Sequence, residues 1–493
     1  MRSVLLAIPL LLLGASAALR AGESADLAAV RALLKDPSPS ARAAAVRRLS
    51  GRADAAALAV LVERLEDPHP YVRRASAGVL GILEDARVRA RLAQDLAGAK
   101  GETTRLEACR ALALWADRHG LEALLRLLRA DRAAVVRAEA ARWLVLEPAP
   151  EVSEALAAAL GDPDGLVRAE ALDALRGRAE RASAGRALLA DPDPRVRVSA
   201  LESSVAETGE PAVVAVLHGL DDAVWSVRFT AAELAGRVRD RRLLAPLVAR
   251  LEDGRRRVAE AAHASLVALS GIPFDLAPGP WRAWLEGDGR DFDPALRPED
   301  PPRPFAPDPG GRTVTAARFL DLPVLSRHVG FVLDASGSMS ELMPDGARRW
   351  DHVRAELDRA LAGLGDGEGN VYVFADEVEA AFPKAEPLSA GRRAHVARWL
   401  ARRGPRGHTA LYDGIAAALR DPAIDTVVVL SDGAPSTGSF FTKTDLLAEL
   451  RRLNRWRKAR IDVVAVGSDN IAARWRDLLQ RLADETGGTL VER

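Results

Sequence analysis

The chain holds one cysteine, Cys109, in 493 residues. A lone thiol cannot close an intrachain disulfide, and Cys109 stands too far along to be a lipid-modified first residue. Its setting, Leu106-Glu107-Ala108-Cys109-Arg110-Ala111-Leu112, is a helical pattern. Cys109 therefore reads as a small core residue. Aromatics make up only 4% of the chain, so leucine, valine and alanine must build the cores. Lysine is scarce. Nearly all basic residues are arginine, which reflects a coding bias toward Arg, Ala, Gly and Leu. Acidic and basic residues balance to a net charge of zero. No global field draws the chain to nucleic acid. Past the amino terminus, no segment is long and apolar enough to span a bilayer.

What is present begins with an export signal. Arg2 supplies the positive charge, Val4 to Leu13 the apolar core, and Ala15-Ser16-Ala17 a small-residue cleavage site. Pro9 and Gly14 interrupt a run that is already short for a membrane span. Residues 1–17 thus read as a cleaved signal peptide, with an uncleaved amino-terminal anchor as the alternative. The expected location is periplasmic or extracellular, with no transmembrane span in the mature chain.

From about residue 25 to 271 one pattern recurs, within an array that with its terminal cap spans residues 22–286. Its clearest copy is Asp67-Pro68-His69-Pro70-Tyr71-Val72-Arg73. Asp36 to Arg42 and Asp191 to Arg197 are close relatives, and Asp162 to Arg168 and Asp222 to Arg228 are looser ones. The aligned arginines are Arg42, Arg73, Arg105, Arg137, Arg168, Arg197 and Arg228, spaced 29 to 32 residues apart. A last, degenerate copy starts at Asp253 and has Ala259 in place of the arginine. A fixed period of this size signals a solenoid. Each unit reads as two helices. Leu58, Leu61, Val62 and Leu65 recur at helical spacing, as do Val72, Ala75, Val79, Leu80 and Leu83 after the turn. One such hairpin cannot bury its apolar faces alone, so neighbours must stack. This resembles the HEAT-repeat family, in its short bacterial form. The resemblance implies that turn aspartate and recurring arginine bridge adjacent repeats, and that the array scaffolds protein partners. Trp281, Trp284 and Leu285 read as a capping helix. Residues 287–314 read as a linker, carrying Pro294, Pro298, Pro301, Pro302, Pro304, Pro307 and Pro309 before Gly310-Gly311. Such composition makes a semi-rigid spacer.

The remaining residues, 315–493, alternate strand and helix patterns, which indicates a doubly wound α/β sheet of Rossmann-like kind. Val329 to Leu333 reads as its first and central strand. It runs into Asp334-Ala335-Ser336-Gly337-Ser338. A carboxylate and two hydroxyls at alternate positions after a buried strand form half a shell for a hard cation. Thr409, before a helical pattern, offers another hydroxyl. Asp432, after the strand Thr426 to Leu430, offers a second carboxylate. Here the sequence resembles the von Willebrand factor A domain family, with its metal-ion-dependent adhesion site. All five positions of that motif match: Asp334, Ser336, Ser338, Thr409 and Asp432. The resemblance implies that the two serines ligate a metal. Thr409 and Asp432 would ligate it directly or through water, and an acidic side chain of a bound protein would complete the octahedron. Magnesium suits such a site; manganese or calcium would also accept oxygen ligands. A member that kept the fold and lost the ion is the alternative.

Other residues near the motif receive plainer readings. Ser336 lacks the Gly-x-Ser-x-Gly elbow of a hydrolase nucleophile. His408, His328 and His352 read as surface loop residues, since imidazole has little use at a magnesium site. Asp413 is a candidate to orient the loop, and Glu341 and Asp345 read as solvated. The whole is expected to be a multidomain protein, an all-α HEAT-like solenoid followed by a doubly wound α/β A domain. Its expected function is that of an exported, non-enzymatic interaction or adhesion scaffold. The alternatives are an assembly or co-chaperone factor and a HEAT-like lyase.

Overall fold

The computed structural model describes residues 25–206, 209–296, 317–343, 345–467 and 473–493. The expected signal peptide and residues 297–314 of the expected linker lie outside the described residues. The chain divides into two compact units, Met1–Ser203 and Ser204–Arg493.

The first unit is a stack of helix pairs. Helices Ala55–Arg64 and Pro70–Gly81 show how one repeat forms. Leu58, Leu61 and Leu65 are buried along the first, and Val72, Val79 and Leu80 along the second. Asp54 caps the first helix by accepting the N–H of Ala57 at 3.0 Å. Pro70 opens the second, where its missing N–H costs nothing, behind the cap residue His69. Buried alanines such as Ala43, Ala57 and Ala77 let helices approach closely, and one apolar cluster runs from Leu27 to Leu175. Cys109 lies fully inside it, with its thiol pushed up in pKa by burial.

The recurring arginine is a two-way staple. Arg42 Nη1 donates to the carbonyls of Asp36 and Pro37 in its own turn, both at 3.0 Å. Its Nε and Nη2 donate to both carboxylate oxygens of Asp67 in the next repeat, at 3.0 and 2.9 Å. Arg105 with Asp131, Arg137 with Asp162 and Arg168 with Asp191 repeat this forked pairing. Arg73 departs from the rule: it bonds Glu107 through a single Nε contact of 3.0 Å. The arginines are therefore structural, as the resemblance implied.

In the second unit the helix pairs continue, and Arg228 grips Asp253 through the same fork. Helix Pro278–Glu286 closes the series. Trp281 is fully buried there. Its Nε1 donates to the Asp275 carbonyl at 2.9 Å, and its ring meets Phe274 and Trp284 edge-on. Pro294, read in the sequence as part of the spacer, is buried, and its carbonyl accepts two bonds from Arg239.

Nine strands follow among the described residues: β1 Ala317–Phe319, β2 Leu322–Val324, β3 His328–Asp334, β4 Glu368–Phe374, β5 Val378–Ala380, β6 Glu386–Pro387, β7 Thr426–Ser431, β8 Arg460–Ala465 and β9 Leu490–Glu492. The first two pair only with each other, as a hairpin absent from the sequence reading. The strand β3 is thus central but not first. The main sheet runs β5-β4-β3-β7-β8-β9, and β6 pairs with β4. The pairings β4–β3–β7–β8–β9 are parallel, and β5 is the antiparallel edge. Helices cover both faces. Phe331 and Leu333 join Trp350, Val353 and Leu357 on one side, while Val332 joins Leu411, Ile415 and Leu446 on the other. This is the doubly wound architecture expected from the strand and helix order.

Within this unit, the helix pairs meet the sheet at the amino-terminal ends of its strands. Trp225 Nε1 donates to the Pro422 carbonyl at 3.4 Å, and Arg255 Nη1 to the Ala423 carbonyl at 2.6 Å, just before β7. Arg460, at the start of β8, lies 3.5 Å from Glu260. The carboxyl ends of the parallel strands, where such sheets place their sites, point the other way.

Candidate metal centre

The last residue of β3 is Asp334, and it is wholly buried. An uninterrupted apolar strand delivers it there. Its Oδ1 accepts the Ser336 N–H at 2.8 Å, which turns the chain sharply so that the following side chains face back over the strand end. Its Oδ2 accepts the Ser431 hydroxyl at 2.7 Å. Ser336 Oγ and Ser338 Oγ lie 3.1 Å apart. Ser338 Oγ donates to Asp432 Oδ1 at 2.8 Å, which ties the loop after β3 to the loop after β7.

The third loop carries Thr409. Gly337 N–H donates to the Gly407 carbonyl at 3.1 Å, joining it to the β3 loop. Thr409 exchanges backbone bonds with Ser436: its N–H donates to Ser436 Oγ and its carbonyl accepts the Ser436 N–H, each at 3.1 Å. Gly407 has φ +65°, and a Cβ there would fall 1.9 Å from Asp376 Oδ2, so only glycine allows this path. All five residues singled out in the sequence thus stand on three loops that hydrogen bonds join at the carboxyl ends of β3 and β7.

The electrostatics are unbalanced. Burial, then the neighbouring Asp432 charge, push the Asp334 carboxyl up to about 6, against the opposing bonds from Ser431 and Ser336. Burial also raises the Asp432 carboxyl, despite bonds from Ser338 and Arg349. Arg349 is the one guanidinium on this pair among the described residues, with Nη1 3.1 Å from Asp432 Oδ2. Its other arm lies 2.8 Å from Glu341, so Glu341 is tied in through Arg349 and is not merely solvated.

Oxygen-only donors suit a hard cation. Neighbouring corners of a magnesium octahedron lie about 3 Å apart when each bond is about 2.1 Å. The Ser336–Ser338 and Ser338–Asp432 separations are of that size. The residues present therefore fit a divalent ion. No group of three or more His, Cys, Asp or Glu side chains is placed to hold a metal ion among the described residues. This set contains two carboxylates and otherwise relies on hydroxyls.

The other expectations divide. Ser336 Oγ faces Ser338 rather than a histidine, so it has no base. His408 is exposed and pairs with Asp376 at 2.8 Å, and His352 pairs with Asp345 at 2.8 Å. His328 is neither a loop residue nor near the site: it opens β3, at the far end from Asp334. Asp413 Oδ2 accepts the Ser439 N–H at 2.7 Å, so it holds the segment after β7 rather than the Thr409 loop. Sequence reasoning missed Ser431, Ser436 and Arg349. Ser431 directly precedes Asp432 and could have been found from that position; Arg349 lies 83 residues from its partner and carries no local signal.

HEAT repeats are matched over residues 27–103 and 95–176. No curated protein matches the chain. Among solved structures, a von Willebrand factor type A protein from Catenulispora acidiphila is 21% identical with a TM-score of 0.29. That match covers 34% of this chain and 38% of the other. YibA of Escherichia coli is 20% identical over 51% of this chain and 97% of its own, with a TM-score of 0.39. Human deoxyhypusine hydroxylase is 25% identical over 50% of this chain and 96% of its own, with a TM-score of 0.23. The chain thus carries HEAT repeats over residues 27–176, and its own strand order makes the carboxy-terminal region a doubly wound α/β sheet.

Proposed function

We propose that the protein is an exported, non-enzymatic interaction scaffold that captures an acidic side chain of a protein partner through a divalent ion. The ion would be held by Asp334, Ser336, Ser338, Thr409 and Asp432. The observation that carries this reading is the pair of buried carboxylates, Asp334 and Asp432, both raised in pKa and met, among the described residues, by the Arg349 guanidinium alone. Buried negative charge without matching cations is costly unless a ligand supplies the charge. A bound magnesium ion, or manganese or calcium, would supply that charge and leave one exchangeable coordination position for the partner's carboxylate. Ser431 and the Ser336 N–H hold Asp334 in place, and Arg349 holds the outer oxygen of Asp432. One carboxylate contact is too little for a stable complex, so surrounding surface of ordinary interface size must contribute. The HEAT repeats would offer further protein contacts. Export rests on the amino-terminal pattern of Arg2, the apolar run and Ala15-Ser16-Ala17.

Thermal unfolding of the full chain with and without millimolar magnesium tests the site. A ligand that binds only the native state adds about 2.7 kcal/mol at a hundred times its Kd. Wild type should gain stability and Asp334→Ala should not. Equal shifts in both proteins would remove Asp334 from any ion site.

A further inference from the structure

Beside the site, helix Ala390–Ala401 and the loop after it build a basic groove of about 490 Å³. Arg398, Arg402, Arg403 and Arg406 line it, facing a single carboxylate, Glu379. Trp399 forms an aromatic wall, with the Arg403 guanidinium stacked 3.9 Å from the ring centre. Glu379 is already committed. One oxygen accepts Arg403 Nε at 3.0 Å and the other accepts Arg406 Nη2 at 3.0 Å. Arg398 and Arg402 are exposed and have no carboxylate partner among the described residues.

The groove adjoins the segment that leads to Thr409. A second cavity of about 230 Å³ joins Arg403 and Arg406 to Ala335 and Ala375, the residues that follow β3 and β4, and Asp376, Glu377 and Glu379 line it as well. Arg406 N–H donates to the Ala335 carbonyl at 2.8 Å. Three residues further on stands Thr409. The same short segment thus lines the basic groove and delivers a metal-site hydroxyl.

We propose that this groove takes the acidic flank of the segment whose carboxylate sits at the metal, so that the partner is an acidic polypeptide. The inference rests on the metal-bridged reading above and adds to it the chemistry of the partner. Two unpaired guanidiniums offer forked bonds to carboxylates, and the indole offers a face for the backbone between them. Rim charges of this kind act on association and selectivity, so binding should weaken with salt.

The test uses the full chain with magnesium and a fluorescent oligoglutamate peptide as probe. A second peptide with alternate glutamates replaced by glutamine serves as control. Reversing both free charges (Arg398→Glu with Arg402→Glu) should weaken binding by about tenfold or more. The Arg398→Lys with Arg402→Lys protein should recover much of the loss. Both sites are exposed, and unchanged circular dichroism and melting would establish that the variants fold. EDTA should weaken wild-type binding independently of the charge reversal. If EDTA abolishes binding while charge reversal leaves it intact, the metal reading stands and the groove proposal falls. If charge reversal matters but EDTA does not, the joint-segment proposal is overturned and the metal reading fails with it. Absence of peptide binding at millimolar concentration also overturns the proposal, as does a single-stranded oligonucleotide that binds tighter than the peptide without magnesium.

Discussion

The aspartates of the helical repeats and those of the β3 and β7 loops are the same residue in opposite circumstances. Asp67, Asp131, Asp162 and Asp253 are buried too, and burial alone would raise their carboxyls. A forked arginine and a backbone N–H outweigh that effect, and each ends below its ordinary value. Asp334 and Asp432 meet hydroxyls and one shared guanidinium, and both end above it. Burial is common to the two sets. What separates the two sets is whether the fold supplies the countercharge itself; at Asp334 and Asp432 the proposed ion would supply it.

The comparison breaks most visibly where a staple is cut. Arg105 and Asp131 are both nearly buried, and Arg105 Nη1 also serves three carbonyls of its own turn. Arg105→Ala leaves Asp131 charged and unpaired, which should cost about 3–5 kcal/mol. Denaturant unfolding followed by far-UV circular dichroism measures it. A cost below about 1 kcal/mol would show that the staples are ornamental, since surface pairs have that value.

Neutralising an aspartate should have opposite signs in the two places. Asp131→Asn removes a paired charge and should destabilise. Asp334→Asn removes an unbalanced charge while keeping an oxygen for the Ser336 N–H. In metal-free protein it should stabilise the second unit by about 1–3 kcal/mol. The same substitution should abolish the magnesium shift. Melting of both variants in EDTA decides the matter, and destabilisation by both would refute the contrast.

The pH profile sharpens it further. The repeat aspartates have folded pKa values below their unfolded ones, so their contribution is complete above about pH 4 and is lost as pH falls through the folded values. Asp334 runs the other way. Its folded value of about 6 exceeds the unfolded 3.8, so without divalent ions its ionisation costs stability as pH rises from about 4 through 6. Hydrogen exchange resolved by segment should show protection of the repeats falling on acidification while the β3 loop gains protection.

Much of this was legible in the sequence for physical reasons. The staples recur at a fixed period, four of the five candidate site residues follow or end buried strands that the apolar runs mark, and Thr409 precedes a helical pattern. The β1–β2 hairpin was not legible. Its strands have three residues each, and its turn uses Leu320 and Asp321, both at positive φ, where asparagine or glycine would have signalled it. Arg349 and Glu341 were invisible because their roles depend on a partner that only the sheet order brings near.

The smallest effect concerns the one irregular staple. By its bonds to the carbonyls of Ala99 and Lys100, Arg105 places Ala99 where other repeats carry the turn aspartate. Arg73, lacking that aspartate, reaches Glu107 instead, through one contact at a site where both side chains keep some exposure. Burial raises the Glu107 carboxyl more than Arg73 lowers it, so this pair is poorly compensated. Arg73→Ala should therefore cost only about 1–2 kcal/mol, well short of Arg105→Ala. The converse substitution is more telling. Ala99→Asp should give Arg73 its missing forked acceptor and raise stability by about 1 kcal/mol. That gain should vanish in an Arg73→Ala background, which a double-mutant cycle measures directly. A gain that survives the loss of Arg73 would come from the turn itself, where an aspartate at that position accepts the N–H two residues on, as Asp67 does from His69.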